Sequence, residues 1–106
     1  MAWAFSGRLA SVLLNATLVD TGPLPAKQRM WQVWGAAVSA TPLEVQWIAA
    51  DGTTVKGSQV LAIPALDTGI LPQQLEEINM LINERIRVIA VTASATPVSC
   101  SIDYTA

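Results

Sequence analysis

The clearest alternation of apolar and polar positions lies near the C-terminal end of the chain. Val98, Cys100, Ile102 and Tyr104 alternate with Ser99, Ser101, Asp103 and Thr105, the period-2 pattern of a strand with one face in a core and the other toward water. Just upstream, Ile86, Val88 and Ala90 alternate with Arg85, Arg87 and Ile89, and Ser94-Ala95-Thr96-Pro97 supplies the turn between the two runs. Residues 28–40 predict a central strand. Met30, Gln32, Trp34, Ala36 and Val38 share one face, and Trp31, Val33, Gly35, Ala37 and Ser39 share the other. Both faces are mostly apolar, so this strand is expected to be covered on both sides, by core on one and by an interface on the other. Its alanines also permit helix, but the β-branched and aromatic residues and the following Thr41-Pro42 favour strand. Residues 43–49 complete a hairpin, with Leu43, Val45 and Trp47 inward and Glu44 and Gln46 outward.

The remaining segments are shorter. Asp51-Gly52 is a turn signal, because both residues tolerate positive φ. A strand resumes over 54–63, with an interruption at Gly57, and residues 64–72 read as a loop turning at Asp67-Thr68-Gly69. In 73–82, Leu75, Ile78 and Ile82 have helical spacing while Ile78, Met80 and Ile82 alternate. Strand from about Glu77 is the preferred reading there, and helix the rival. Residues 1–7 read as an N-terminal arm carrying Trp3 and Phe5, with a first strand over 8–14. Residues 18–24 form a short edge strand broken by Thr21-Gly22-Pro23 and Pro25. About eight short strands without βα alternation predict an all-β, single-domain antiparallel β-sandwich over residues 8–106, a jelly roll.

Composition then narrows the function. Only 13% of residues are charged, against about 25% in an average domain, and 52% are hydrophobic. Alanine swells that second figure, but such a surface suits a protein covered by copies of itself or by a partner. With 6 Lys and Arg against 8 Asp and Glu, no basic stripe is available for nucleic acid or for an anionic membrane surface. The absence of His and the single Cys100 leave no internal disulfide and none of the usual metal sites, so no metal and no cofactor is expected. No apolar run reaches the roughly 18–20 residues of a membrane helix, and Arg8 interrupts the N-terminal stretch that would otherwise read as a leader.

Catalytic chemistry finds no foothold either. Phosphate-loop and nucleophile-elbow motifs are absent. Glu76 and Glu77 are adjacent and would point to opposite faces of a strand. Asp20, Asp51 and Asp67 each sit where a turn calls for Asp. The expectation is a protein that is not an enzyme. The candidate functional residues are therefore interface residues: Trp3, Phe5 and Trp31, since aromatics concentrate at interface centres, and Arg85 with Arg87. The arginines share one face of a strand. They could be solvated or could pair with carboxylates of an adjacent subunit. Trp34 and Trp47 are expected in the core.

One further pattern spans most of the chain. Thr21-Gly22-Pro23-Leu24-Pro25-Ala26 is followed by the apolar hairpin bounded by Trp31 and Trp47, then by Ala50 to Gly52 and Val60 to Pro64. Asn83-Glu84-Arg85-Ile86-Arg87-Val88 and the closing Ser101-Ile102-Asp103-Tyr104 complete it. This order resembles the small jelly-roll proteins of tailed-phage virions that decorate or cement capsids. The resemblance rests on pattern and composition and has no diagnostic motif. It implies a homotrimeric, non-enzymatic protein on the capsid exterior, bound to the major capsid protein lattice through an N-terminal arm or a sheet edge. The alternative is a receptor- or carbohydrate-binding β-sandwich of a fibre or tail, with an exposed Trp31 as the sugar platform.

Overall fold

The computed structural model describes residues 3–9, 11–63, 67–70 and 77–104. Among them are nine strands: β1 (Trp3–Leu9), β2 (Thr17–Asp20), β3 (Lys27–Ala37), β4 (Leu43–Ile48), β5 (Val55–Leu61), β6 (Asp67–Ile70), β7 (Glu77–Met80), β8 (Arg85–Ala90) and β9 (Val98–Tyr104). They form two antiparallel sheets. One has the order β1-β9-β3-β6, with β7 also paired to β3, and the other has the order β2-β8-β4-β5. β6 lies along Trp34 to Ala37 and β7 along Lys27 to Met30 on the same edge of β3, so together they act as one interrupted strand. Counted that way there are eight strands, and each connection outside the β4–β5 hairpin crosses from one sheet to the other. That is the order of a jelly roll, and the expected fold class is met.

Register explains why the core forms between the sheets. β9 is paired on both sides, with Val33 opposite Ile102 and Ala37 opposite Val98 on the β3 side. In the facing sheet Leu43 lies opposite Ala90, Val45 opposite Val88 and Trp47 opposite Ile86. The inward rows, Trp31, Val33, Val98, Cys100 and Ile102 against Leu43, Val45, Ile86, Val88 and Ala90, are all buried. Each Val, Leu or Ile among them contributes roughly 1.5–3 kcal/mol on full burial. Strand periodicity thus fixes which residues meet. The helix rival for 73–82 gives way at Glu77–Met80, where cross-strand pairing to β3 holds the backbone extended; residues 73–76 lie outside the described residues.

Four expectations are corrected here. Residues 43–49 do not complete a hairpin with 28–40: the chain crosses between sheets at Thr41-Pro42, and β4 pairs with β5 and β8 instead of β3. Residues 3–7 are not an arm: β1 pairs with β9 residue for residue, Trp3 opposite Tyr104 through Leu9 opposite Val98. The first strand accordingly ends at Leu9 and not near Leu14, because 13–16 close a tight turn (Ala16 N–H to Leu13 C=O, 3.0 Å) with Asn15 at φ 65°. On β3 the parity of the two faces is as expected, but the face bearing Trp31 is the core. Trp34, on the other face, is only half-buried.

Cys100 sits in the inner row of β9, and burial pushes its thiol up to about 12. A thiolate-dependent reagent at pH 8 is expected to leave the native protein unlabelled and to label it on unfolding. Prompt labelling of the native chain would show that β9 separates from its neighbours.

Candidate interaction surface

The five residues singled out from sequence do not converge. Trp3 and Phe5 lie in β1, their backbones opposite Tyr104 and Ile102. Trp31 is 2% exposed and belongs to the core, on the inward parity of a central strand. Arg85 and Arg87 project from the outer face of β8 and are engaged within the chain. Arg87 Nε lies 3.1 Å and Arg85 Nη1 3.7 Å from the same Asp20 oxygen, because β2–β8 register sets Asp20 opposite Arg87. Arg87 also donates to the Gly52 carbonyl (3.2 Å). Loop 49–54 therefore folds back over the outer face, above Ile48, which is fully buried although its register partner is Arg85. Asp51 shapes that loop by accepting the backbone N–H groups of Thr53 and Thr54 at 2.8 Å. The Thr54 hydroxyl first, then these amides, lower its carboxyl to about 2.

Glu84 is the polar residue that sequence reasoning treats only as part of a turn. It is 2% exposed. Its carboxylate accepts from Lys56 Nζ (2.5 Å), Trp47 Nε1 (3.1 Å) and the Leu81 N–H (2.7 Å), and Lys56 stands 4.3 Å from the centre of the Trp47 ring. The bulge in the β4–β5 register, where Trp47 meets Gly57 but Ile48 meets Val55, leaves Lys56 unmatched and able to aim at the carboxylate. Burial alone would push the Glu84 carboxyl up. The Lys56, Leu81 and Trp47 donors outweigh it and hold the group below its ordinary 4.5. With every donor accounted for, this is a clasp joining β4, β5 and the β7–β8 turn, and it offers a ligand no free group.

The exposed feature lies at the opposite end of the sandwich. Three turns are tied together there. Val12 and Ser94 exchange backbone hydrogen bonds (2.8 and 2.9 Å), Asn15 N–H reaches Ala90 C=O (3.0 Å) and Val91 N–H reaches Pro42 C=O (3.2 Å). Ser39 and Thr96 share a side-chain bond of 2.9 Å. Val12 takes the inward position, so the next two residues are turned out on the 13–16 turn: Leu13 is 78% and Leu14 61% exposed, beside Val38 and Val91. Residues 9–19, 30–43, 57–66 and 88–102 contain no charged residue; the three turns tied together here lie within the first, second and last of these runs, with Asp67 opposite Ala37 at their edge. Uncharged turns bearing exposed aliphatics are the kind of surface that proteins bury against a partner. At the other end Leu81 and Ile82 are also exposed, but they stand among Asp51, Lys56, Glu84 and Arg85.

Among the described residues no group of three His, Cys, Asp or Glu side chains could hold a metal ion. No protein-family model matches the chain, and no curated protein matches it in sequence. Among solved structures, the crystal structure of PirA is similar, with a TM-score of 0.51 and 14% identity over 99% of this chain and 95% of that one. The likeness is one of fold. It agrees with the two-sheet architecture and assigns no chemistry to any residue.

Proposed function

We propose that this chain is a structural, non-catalytic protein of a virion, a jelly-roll unit that decorates or cements the capsid exterior by oligomerising, as a homotrimer, on the lattice of the major capsid protein. The observation that carries the reading is the set of exposed aliphatic residues at one end: Leu13, Leu14, Val38 and Val91 stand exposed on turns without a formal charge, on a domain whose Glu84 and Asp20 carboxylates are paired within the chain. Jelly rolls serve as coat and lectin modules, which makes attachment a natural task for this fold. The sugar-binding alternative loses its platform, since Trp31 is in the core. Attachment through residues 1–7 is also disfavoured, because deleting them would remove most of an edge strand.

The test is sedimentation of the chain with capsid shells assembled from the major capsid protein of the same genome. The wild type is expected to bind. The Leu13→Asp/Leu14→Asp variant, altered only at exposed positions, should bind at least about tenfold more weakly while unfolding at an unchanged temperature. A well-behaved monomer with no affinity for shells overturns the proposal.

A further inference from the structure

We propose that Asp51-Gly52 is a covalent modification site, a latent point of isoaspartate formation that the closed loop 49–54 holds unreactive and that reacts when the loop opens. The inference concerns this loop alone and stands apart from the virion reading.

The chemistry needs only water. Gly52 N attacks Asp51 Cγ, and the new N–Cγ bond closes a five-membered succinimide. A water molecule leaves, made of one carboxyl oxygen with its proton and the proton of the Gly52 amide. Water then adds back at either ring carbonyl. Opening at Cγ restores aspartate; opening at the main-chain carbonyl leaves the chain running through Cβ, an isoaspartyl link of unchanged mass. A glycine nitrogen is the least hindered for this attack, since no Cβ stands beside it, and Asp51-Gly52 is the chain's one Asp-Gly step, with no Asn-Gly. The aspartate is exposed, so water reaches it freely. Sequence and exposure alone therefore predict ready ageing.

The closed loop predicts the reverse. Ring closure needs the Asp51 side chain to turn back onto the nitrogen of its neighbour. Both carboxylate oxygens are instead held forward: Oδ1 accepts the Thr53 and Thr54 N–H groups at 2.8 Å, and Oδ2 accepts the Thr54 hydroxyl. The nucleophile is held as well. Gly52 N–H donates to Ala49 C=O at 3.0 Å, and the attack requires that proton to be lost. The carboxyl must also be protonated for its oxygen to leave. The Thr54 hydroxyl first, then the amides, hold it at about 2 against its ordinary 3.8, which makes the protonated form on the order of tenfold to a hundredfold rarer. The frame around the pair is tied at two further points, Ala49 N–H to Thr54 C=O at 2.8 Å and Arg87 Nη2 to Gly52 C=O at 3.2 Å. Reaction accordingly passes through the open fraction of the loop, and its rate measures local opening. The product cannot reclose in the same way. An added main-chain carbon carries the Gly52 carbonyl off Arg87 and uncovers Ile48, which is fully buried under the closed loop.

The experiment ages the full chain near neutral pH, folded and in urea. Isoaspartate is counted by methyl transfer from S-adenosylmethionine with an isoaspartyl methyltransferase and assigned to a residue by peptide mapping. The folded chain is expected to accumulate it at Asp51 at least about tenfold more slowly than the unfolded chain. Thr54→Val, which deletes the hydroxyl donor at an exposed position, should speed accumulation in the folded chain several-fold. Thr54→Ser, which keeps the hydroxyl, should not. Rates are compared at equal intervals below each variant's melting temperature, so that global unfolding does not enter. The isoaspartyl chain, separated by ion exchange, should melt lower than its parent. Equal rates in folded and unfolded chains, a Thr54→Val rate equal to that of the wild type, or isoaspartate gathering in the unfolded chain at Asp20, Asp67 or Asp103 ahead of Asp51 each overturns the inference. An isoaspartyl chain as stable as its parent overturns it too, since the loop would then close over the altered link.

Discussion

Replacing Gly7 by alanine is expected to cost about 3 kcal/mol or more of stability. β1 and β2 are edge strands of different sheets, and Gly7 is where they close on each other. A Cβ at this position would land on the carbonyl oxygen of Leu18, with the carbonyl carbon at 2.8 Å and Val19 Cβ at 3.4 Å. The obstruction is backbone, so no rotamer change can relieve it, and β1 would have to lift away from β2 or from β9. For a chain of this size the melting temperature should fall by about 12–20 °C, measurable by thermal or urea unfolding. Gly35→Ala is the control. Its Cβ would meet the end of the Ile63 side chain, with Cγ1 at 3.1 Å, and a rotatable side chain can give way, so the loss should be clearly smaller. An unchanged melting temperature for Gly7→Ala would mean that β1 does not seal that side of the sandwich, and would restore the N-terminal arm expected from sequence.

Much of the fold is legible because strand parity is local. Cys100 and Ile102, like Ile86 and Val88, fall inward as their alternation requires, and the two apolar runs flanking Thr41-Pro42 are strands, although which strand each pairs with is not local: β3 and β4 lie in facing sheets. β1 is illegible for the opposite reason. Trp3 to Leu9 has no clean alternation, and its conformation is set by pairing along the whole of β9, 89 to 101 residues away, which no local window contains. The two faces of β3 show a related limit. When both are apolar, the pattern fixes parity without saying which face is core, and that choice put Trp31 inside and Trp34 outside.

The candidate surface was harder to see than the fold. Aromatic content drew attention to Trp3, Phe5 and Trp31, whereas the exposed residues are leucines and valines in turns. A signal was nevertheless present. Charged positions leave four long gaps, at 9–19, 30–43, 57–66 and 88–102. The turns within the first, second and last of them are tied together at one end. Arg85 and Arg87 misled for a simpler reason: their carboxylate partner, Asp20, read as a turn residue, and it is both. It caps the Gly22 N–H at 2.8 Å while receiving the arginines.

Removing the Glu84 carboxylate should be the second large loss. Glu84→Ala strands three donors, Lys56 Nζ, Trp47 Nε1 and the Leu81 N–H, and an unpaired buried partner costs far more than the net worth of the bond it made. Breaking a fully buried pair costs about 3–5 kcal/mol. Lys56 is 30% exposed and can turn to water, so about 2–3 kcal/mol is expected here. Glu84→Gln should cost less, since its carbonyl can still accept from Trp47 and Leu81 while its amide opposes Lys56; adding Lys56→Met should recover part of that loss. The pH dependence separates charge from packing. Because the folded carboxyl is held below 4.5, its contribution to stability is fully present above that value and is lost as pH falls through the lower folded one. Asp51, also lowered, acts in the same direction in both proteins. The gap between wild type and Glu84→Gln in urea unfolding should therefore be widest near pH 6 and narrow toward pH 3. Parallel curves over that range would mean that the clasp is held by shape and neutral hydrogen bonds, with no contribution from the carboxylate charge.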